Sequence, residues 1–148
     1  MRVYMDVCCL SRMFDDQTQE KIRFETEAII SILNRCNTRS DWELIGSDAI
    51  VFEASNAPDA VKKQKVLLLH EGASERLKSN DEIKARAAKF CKTNIKPMDS
   101  LHLAIAEYAN ADVILTTDSK FLKAAKRSEA KVHISNPLDF YLEVIKDG

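Results

Sequence analysis

The sequence predicts an α/β fold, a three-layer α/β/α sandwich around a central parallel sheet of four to five strands. Three observations carry that prediction. Short apolar runs such as Val3-Tyr4-Met5 and Val113-Ile114-Leu115 are continuous, the pattern of strands buried on both faces. Segments with helical spacing separate them, so strands and helices alternate along the chain. Only three Gly and three Pro among 148 residues leave little room for long irregular loops. A chain of this length fits one domain, 1–148, and no internal repeat divides it.

The first strand is expected over 2–9, an apolar run interrupted by Asp6, with Cys8 and Cys9 on opposite faces. Residues 10–18 read as a polar turn. Over 19–36, Ile22, Ala28, Ile29, Ile32, Leu33 and Cys36 fall at helical spacing, and 37–41 supplies turn formers. Residues 43–47 form a second strand. Ser47 and Asp48 are N-cap candidates for a helix carrying Ile50, Val51, Phe52 and Glu53, which Asn56 and Pro58 break. Further helices are expected over 59–70, before Gly72, and over 80–90, where Ile83, Ala87 and Phe90 share a face. Pro97 opens a helix at its first turn, and Leu101, Leu103, Ala104, Ile105 and Ala106 make it largely buried. The clearest strand follows at 112–116, then a helix at 119–127, a strand at 131–134 and a closing helix at 138–145.

Composition constrains function only loosely. The formal net charge is −1, from 22 basic and 23 acidic residues, so any nucleic-acid contact must use a local basic patch. Cys8, Cys9, Cys36 and Cys91 show no CxxC spacing, which argues against a structural zinc site. They read as small core residues of a cytoplasmic protein. No basic segment leads into an apolar stretch at the start, so no signal peptide is expected. No apolar run approaches the length of a membrane span.

The chemistry lies in four acids. Asp6 interrupts the first strand, Glu53 follows Ile50-Val51-Phe52, Asp99 opens the Pro97 helix, and Asp118 ends Leu115-Thr116-Thr117. Carboxylates among apolar neighbours are costly to desolvate unless something compensates them. In an open parallel sheet, ligands bind beyond the carboxyl ends of the strands, where all four acids can converge. Close carboxylates repel one another and some are driven to protonate. A divalent cation reverses that preference, and hard oxygen donors select Mg²⁺ or Mn²⁺ over zinc. Such a centre activates water and polarises a phosphoryl group, so phosphodiester hydrolysis is the expected reaction. Each acid also has an ordinary reading. Asp118 and Asp99 suit a helix N-terminus, and Glu53 suits a buried ion pair. Asp6, inside an apolar strand, has the weakest structural excuse.

In order along the chain, these motifs resemble the PIN-domain nucleases, including the toxin ribonucleases of toxin–antitoxin pairs. Val3-Tyr4-Met5-Asp6-Val7 is similar to the family's strand ending at its first metal-binding Asp, and Glu53 occupies the place of the family's Glu. Asp99-Ser100-Leu101-His102-Leu103-Ala104 and Leu115-Thr116-Thr117-Asp118-Ser119-Lys120-Phe121 resemble its later segments, as does Asn136-Pro137. The resemblance implies metal binding by Asp6, Asp99 and Asp118, with Glu53 in the inner or outer shell. It implies that Thr117 orients the site or a phosphate. Where many members carry a further Asp, this chain has Lys120, expected to contact phosphate or point to solvent. The resemblance further implies an RNA substrate, a small antitoxin partner and a homodimer.

Arg12 is the best single candidate for a phosphate contact, among basic residues that also include Arg23, Arg35, Arg39, Lys62, Lys63 and Lys65. Trp42 reads as packing rather than a base-stacking platform. His102 lies on the face of Asp99 but reads as structural. The apolar side chains of Ile29, Ile32, Val66, Leu67, Leu68 and Leu69 exceed what one small core hides and suit a two-fold interface. The expected function is therefore a Mg²⁺- or Mn²⁺-dependent endoribonuclease. The alternatives are a non-catalytic PIN-like RNA- or protein-binding module and a carboxylate phosphatase. The phosphatase needs a DxD-type loop, which Asp6-Val7-Cys8 does not supply.

Overall fold

In the computed structural model, which describes residues 1–147, the apolar runs and one polar segment form five strands paired in parallel throughout. They are β1 (Arg2–Met5), β2 (Glu43–Ser47), β3 (Glu75–Leu77), β4 (Val113–Leu115) and β5 (His133–Ser135), in the order β3-β2-β1-β4-β5. Val3 stands opposite Leu44 on one side and Val113 on the other. Val3, Tyr4 and Met5 are wholly inaccessible, as a central strand covered on both faces requires.

Eight α-helices surround the sheet: α1 (Val7–Ser11), α2 (Glu20–Thr38), α3 (Asp48–Ser55), α4 (Ala60–His70), α5 (Asp81–Cys91), α6 (Pro97–Tyr108), α7 (Ser119–Lys126) and α8 (Pro137–Asp147). A 3-10 turn, Arg12–Phe14, follows α1. α2 packs on α8, while α6 packs on α5 and α3, giving the predicted sandwich. Among the described residues no helix is long and apolar enough to cross a membrane.

Three local expectations need correction. β1 stops at Met5, because Asp6 is extended and its carboxylate caps α1 by accepting the Cys9 N–H at 3.0 Å. Cys8 and Cys9 therefore lie on a helix, and what reads as a polar turn begins with helical structure. Of the four cysteines, Cys9 alone is buried in the core; Cys8 and Cys91 are exposed and Cys36 is half-buried. Strand β3 was not expected, since Glu75-Arg76-Leu77 carries no apolar signal. It is an edge strand, where polar side chains face water, and Arg2 ties it down through Glu75 at 2.8 Å and Glu43 at 2.7 Å.

The apolar surplus also divides. Ile29, Ile32 and Val66 belong to the core, Leu67 and Leu69 are half-buried, and Leu68 is exposed with Ile30, Phe52 and Val61. One close approach fixes the end of β2. The His70 ring lies against Gly46, where a Cβ would stand 2.3 Å from Nε2. That contact lets His70 Nε2 accept the Ser47 N–H at 3.0 Å.

Candidate active site

The chain crosses from one side of β1 to the other between β3 and β4, so a crevice opens at the carboxyl ends of the central strands. Asp6 follows β1 directly. Asp118 lies in the turn after β4 and caps α7, accepting the N–H groups of Lys120 at 2.9 Å and Phe121 at 3.3 Å. Asp99 is in the first turn of α6, which Pro97 opens, and Glu53 is near the end of α3. The capping role weighed for Asp118 is thus real, and Asp6 has one too. Each cap uses only Oδ1, leaving the second oxygen of both carboxylates outside the cap.

Electrostatic coupling shows that the four acids share one region. Burial raises Asp6 from 3.8 to about 6, with the Asp99 charge adding to it, while the Thr116 hydroxyl, His102 and the Cys9 N–H oppose the rise. Asp99 is also raised to about 6, by burial first and then by the charges of Asp118 and Glu53. Although Cys8 is exposed on one side, its thiol is pushed up, first by the protein packed on its other side and then by the charges of Asp6, Glu53, Asp118 and Asp99. One side chain therefore feels all four carboxylates.

Coupling does not make a closed cage. Among the described residues, no three His, Cys, Asp or Glu side chains lie close enough to hold one metal ion between them. The donor chemistry nonetheless fits a hard cation: the candidate ligands are carboxylate oxygens, and burial makes two of them, Asp6 and Asp99, easier to protonate than usual. Mg²⁺ normally keeps several waters and takes one or two carboxylates directly. Acids spread around a crevice suit that mode, with the remainder reaching the ion through water.

The structure separates the adjacent threonines. Thr116 is wholly buried, and its hydroxyl accepts the Asp118 N–H at 3.1 Å besides opposing the rise of Asp6. It links the two strand-end acids. Thr117, the residue singled out from the sequence, is half-exposed; both threonines border a cavity of about 240 Å³ that Lys21, Glu25, Ser119 and Asn136 also line. Sequence reasoning missed Thr116. The only signal was adjacency, since Thr116 directly follows the buried strand β4.

Arg12 is committed within the protein. Its Nε and Nη2 donate to Glu25 Oε1 at 2.9 and 2.8 Å, and Nη1 donates to Asp15 at 3.3 Å. Lys62 reaches the same Asp15 at 2.6 Å, and Asn136 donates to Glu25 Oε2 at 2.6 Å. Lys120 is exposed one residue into α7. Trp42 is buried against Phe140, with the Arg35 guanidinium 5.3 Å from its ring centroid, as packing predicts. His102, read as structural, donates or accepts through both ring nitrogens and reaches Glu53 at 2.8 Å.

Comparisons with known proteins bear on the family and the fold. The family model described as "PIN domain" matches residues 3–127. The VapBC-1 structure of nontypeable Haemophilus influenzae is similar in fold, with a TM-score of 0.59 and 16% identity over 93% of this chain and 98% of that one. VapBC2 of Rickettsia felis, bound to a DNA fragment from its promoter, gives 0.56 and 13% over 92% and 98%. No curated protein sequence matches the chain.

Proposed function

Because the chain belongs to the PIN domain family, we propose that it is a metal-dependent endoribonuclease of the cytoplasm, acting as the toxin of a toxin–antitoxin pair. The observation that supports this most directly is the placement of Asp6 and Asp118 just beyond the carboxyl ends of β1 and β4, with Asp99 in the first turn of α6 and Glu53 near the end of α3. Burial raises Asp6 and Asp99 to about 6. A cluster this short of positive charge is suited to a cation from solution.

Asp6, Asp99, Asp118 and Glu53 would hold Mg²⁺ or Mn²⁺. When bound, such an ion lowers the pKa of a coordinated water and draws charge from the phosphoryl oxygen. Thr116 keeps Asp6 and the Asp118 turn in register. Lys120, exposed beside Asp118, offers its ammonium to the flanking RNA backbone as a point charge. Water adds to phosphorus, the P–O ester bond breaks, and a proton ends on the departing ribose oxygen. Arg12, paired with Glu25 and Asp15, serves the RNA path only if substrate draws it from those partners. The exposed side chains of Ile30, Phe52, Val61 and Leu68 provide apolar surface for an antitoxin segment or a second copy of the chain.

The test is cleavage of a mixed RNA pool with Mg²⁺, with Mn²⁺ or with EDTA, beside Asp6→Asn. Metal-dependent cleavage that falls at least about 10³-fold in the variant is the expected result. Folded protein that binds no Mn²⁺ and cleaves nothing sinks the proposal. It would leave a second reading, a non-catalytic RNA- or protein-binding module. One observation favours that reading, namely that no three of the acids meet around a single point.

A further inference from the structure

Beside the acids runs a buried chain of hydrogen bonds that ends on one of them. Ser47 Oγ and Tyr4 OH are 2.8 Å apart, Tyr4 OH and His102 Nδ1 2.6 Å, and His102 Nε2 and Glu53 Oε1 2.8 Å. The links come from β2, β1, α6 and α3, four different elements. Ser47, Tyr4 and His102 are all wholly inaccessible to solvent. The far end is anchored twice, since Ser47 Oγ accepts the Ile50 N–H at 3.2 Å and the Ser47 N–H donates to His70. Ser47 is also the N-cap of α3, the helix that carries Glu53.

The donor order at Glu53 is fixed by chemistry. A carboxylate oxygen accepts, so Nε2 of His102 must carry hydrogen. Nδ1 then either accepts from Tyr4 or donates to it, and the Tyr4–Ser47 bond turns accordingly. Glu53 receives a donated hydrogen bond under both arrangements. Burial alone does not require this. The Glu53 side chain is 35% exposed and water would solvate it without help, whereas three wholly buried groups are spent on aiming it. Oε1 is held by His102, which leaves Oε2 as the oxygen free for a cation or its water.

We propose that His102, supported by Tyr4 and Ser47, is a positioning residue that orients Glu53 for the divalent cation and thereby sets cation affinity. This rests on the metal-site reading above. Partners that orient metal-bound side chains typically change affinity 10–100-fold when removed.

Mn²⁺ affinity of the full chain, measured by titration calorimetry with melting curves as a folding check, tests it. His102→Leu is expected to weaken Mn²⁺ binding about tenfold or more. His102→Gln, whose amide nitrogen can take the place of Nε2, should restore affinity to within about threefold of the wild type. In a Glu53→Gln background His102→Leu should add nothing, because its effect travels through the lost carboxylate. If His102→Leu does not fold, Tyr4→Phe takes its place, with a smaller weakening that also vanishes in that background. Unchanged affinity in a folded variant, or the same loss with and without Glu53, overturns the inference alone. A folded wild type that binds no Mn²⁺ overturns the metal reading and this inference with it.

Discussion

Two buried carboxylates near the same edge of the sheet have been treated in opposite ways. Glu25, 1% exposed, has both oxygens engaged, Oε1 by the Arg12 guanidinium and Oε2 by the Asn136 amide. Asp6, 2% exposed, caps a helix with one oxygen, and among the described residues no Lys or Arg pairs with it. Buried charge is tolerated when paired and strongly penalised when not. The fold supplies a cation to the acid that joins α2 to the Arg12 turn. It withholds one from the acid at the switch point of the sheet. Glu25 is completed from within, and Asp6 is left incomplete, which suits the proposal that a cation from solution binds there.

The largest effect should come from breaking the completed pair. Arg12→Ala strands Glu25 with one amide donor, and chemical denaturation should show a loss of about 3–5 kcal/mol. A loss below about 1 kcal/mol would mean that Glu25 needs no counter-ion, and the contrast with Asp6 would collapse.

The incomplete acid should respond with the opposite sign. Asn keeps the side-chain oxygen that caps α1, so Asp6→Asn removes a buried charge without removing the cap. Folding raises Asp6 from 3.8 to about 6, so the folded chain holds that proton more tightly than the unfolded one. Stability is then complete below about pH 4 and drains away as pH rises through about 6. Asp99, raised to about 6, drains in the same window. Metal-free Asp6→Asn should therefore gain about 1–3 kcal/mol at pH 8 over the wild type and no advantage at pH 4. Mn²⁺ should erase the gain at pH 8 by stabilising the wild type alone. A variant less stable than the wild type at pH 8 contradicts this account of Asp6.

Lys120→Ala should have the smallest effect. Its side chain is exposed, so stability should move by less than about 0.5 kcal/mol. Its absence should weaken RNA binding a few-fold at low salt and lower the salt dependence by roughly one phosphate contact. Unaltered salt dependence would mean that the ammonium points only to water.

Much of this was legible in the sequence because residue type and place agree. Apolar runs located β1, β2, β4 and β5, and the sequence position of the acids placed them at strand ends or in the adjoining helices, where the fold has them. What was not legible depends on pairing. Glu75-Arg76-Leu77 looks like loop until Arg2 and the Ile45 backbone give it partners. Arg12 looks free for phosphate until the turn folds it back on Glu25. His102 looks structural because its partners, Tyr4 and Glu53, are distant in sequence and meet it only through the register of β1 and the packing of α3 on α6. Thr116 and Thr117 are chemically alike, and only strand geometry decides which hydroxyl is buried beside the acids.

The position of β1 in the middle of the sheet also governs when the site can exist. Asp6 is made before either neighbour of its strand, since β1 pairs on one side with β2 and on the other with β4, and Asp118 lies beyond β4. A nascent chain that has not reached residue 118 can carry Asp6, Glu53 and even Asp99 without the strand and cap that complete the cluster. Pairing across so much intervening chain is slow relative to local helix formation. On the ribonuclease reading proposed above, an unfinished polypeptide would be unable to cut the RNA around it until β4 and the Asp118 turn had joined the sheet.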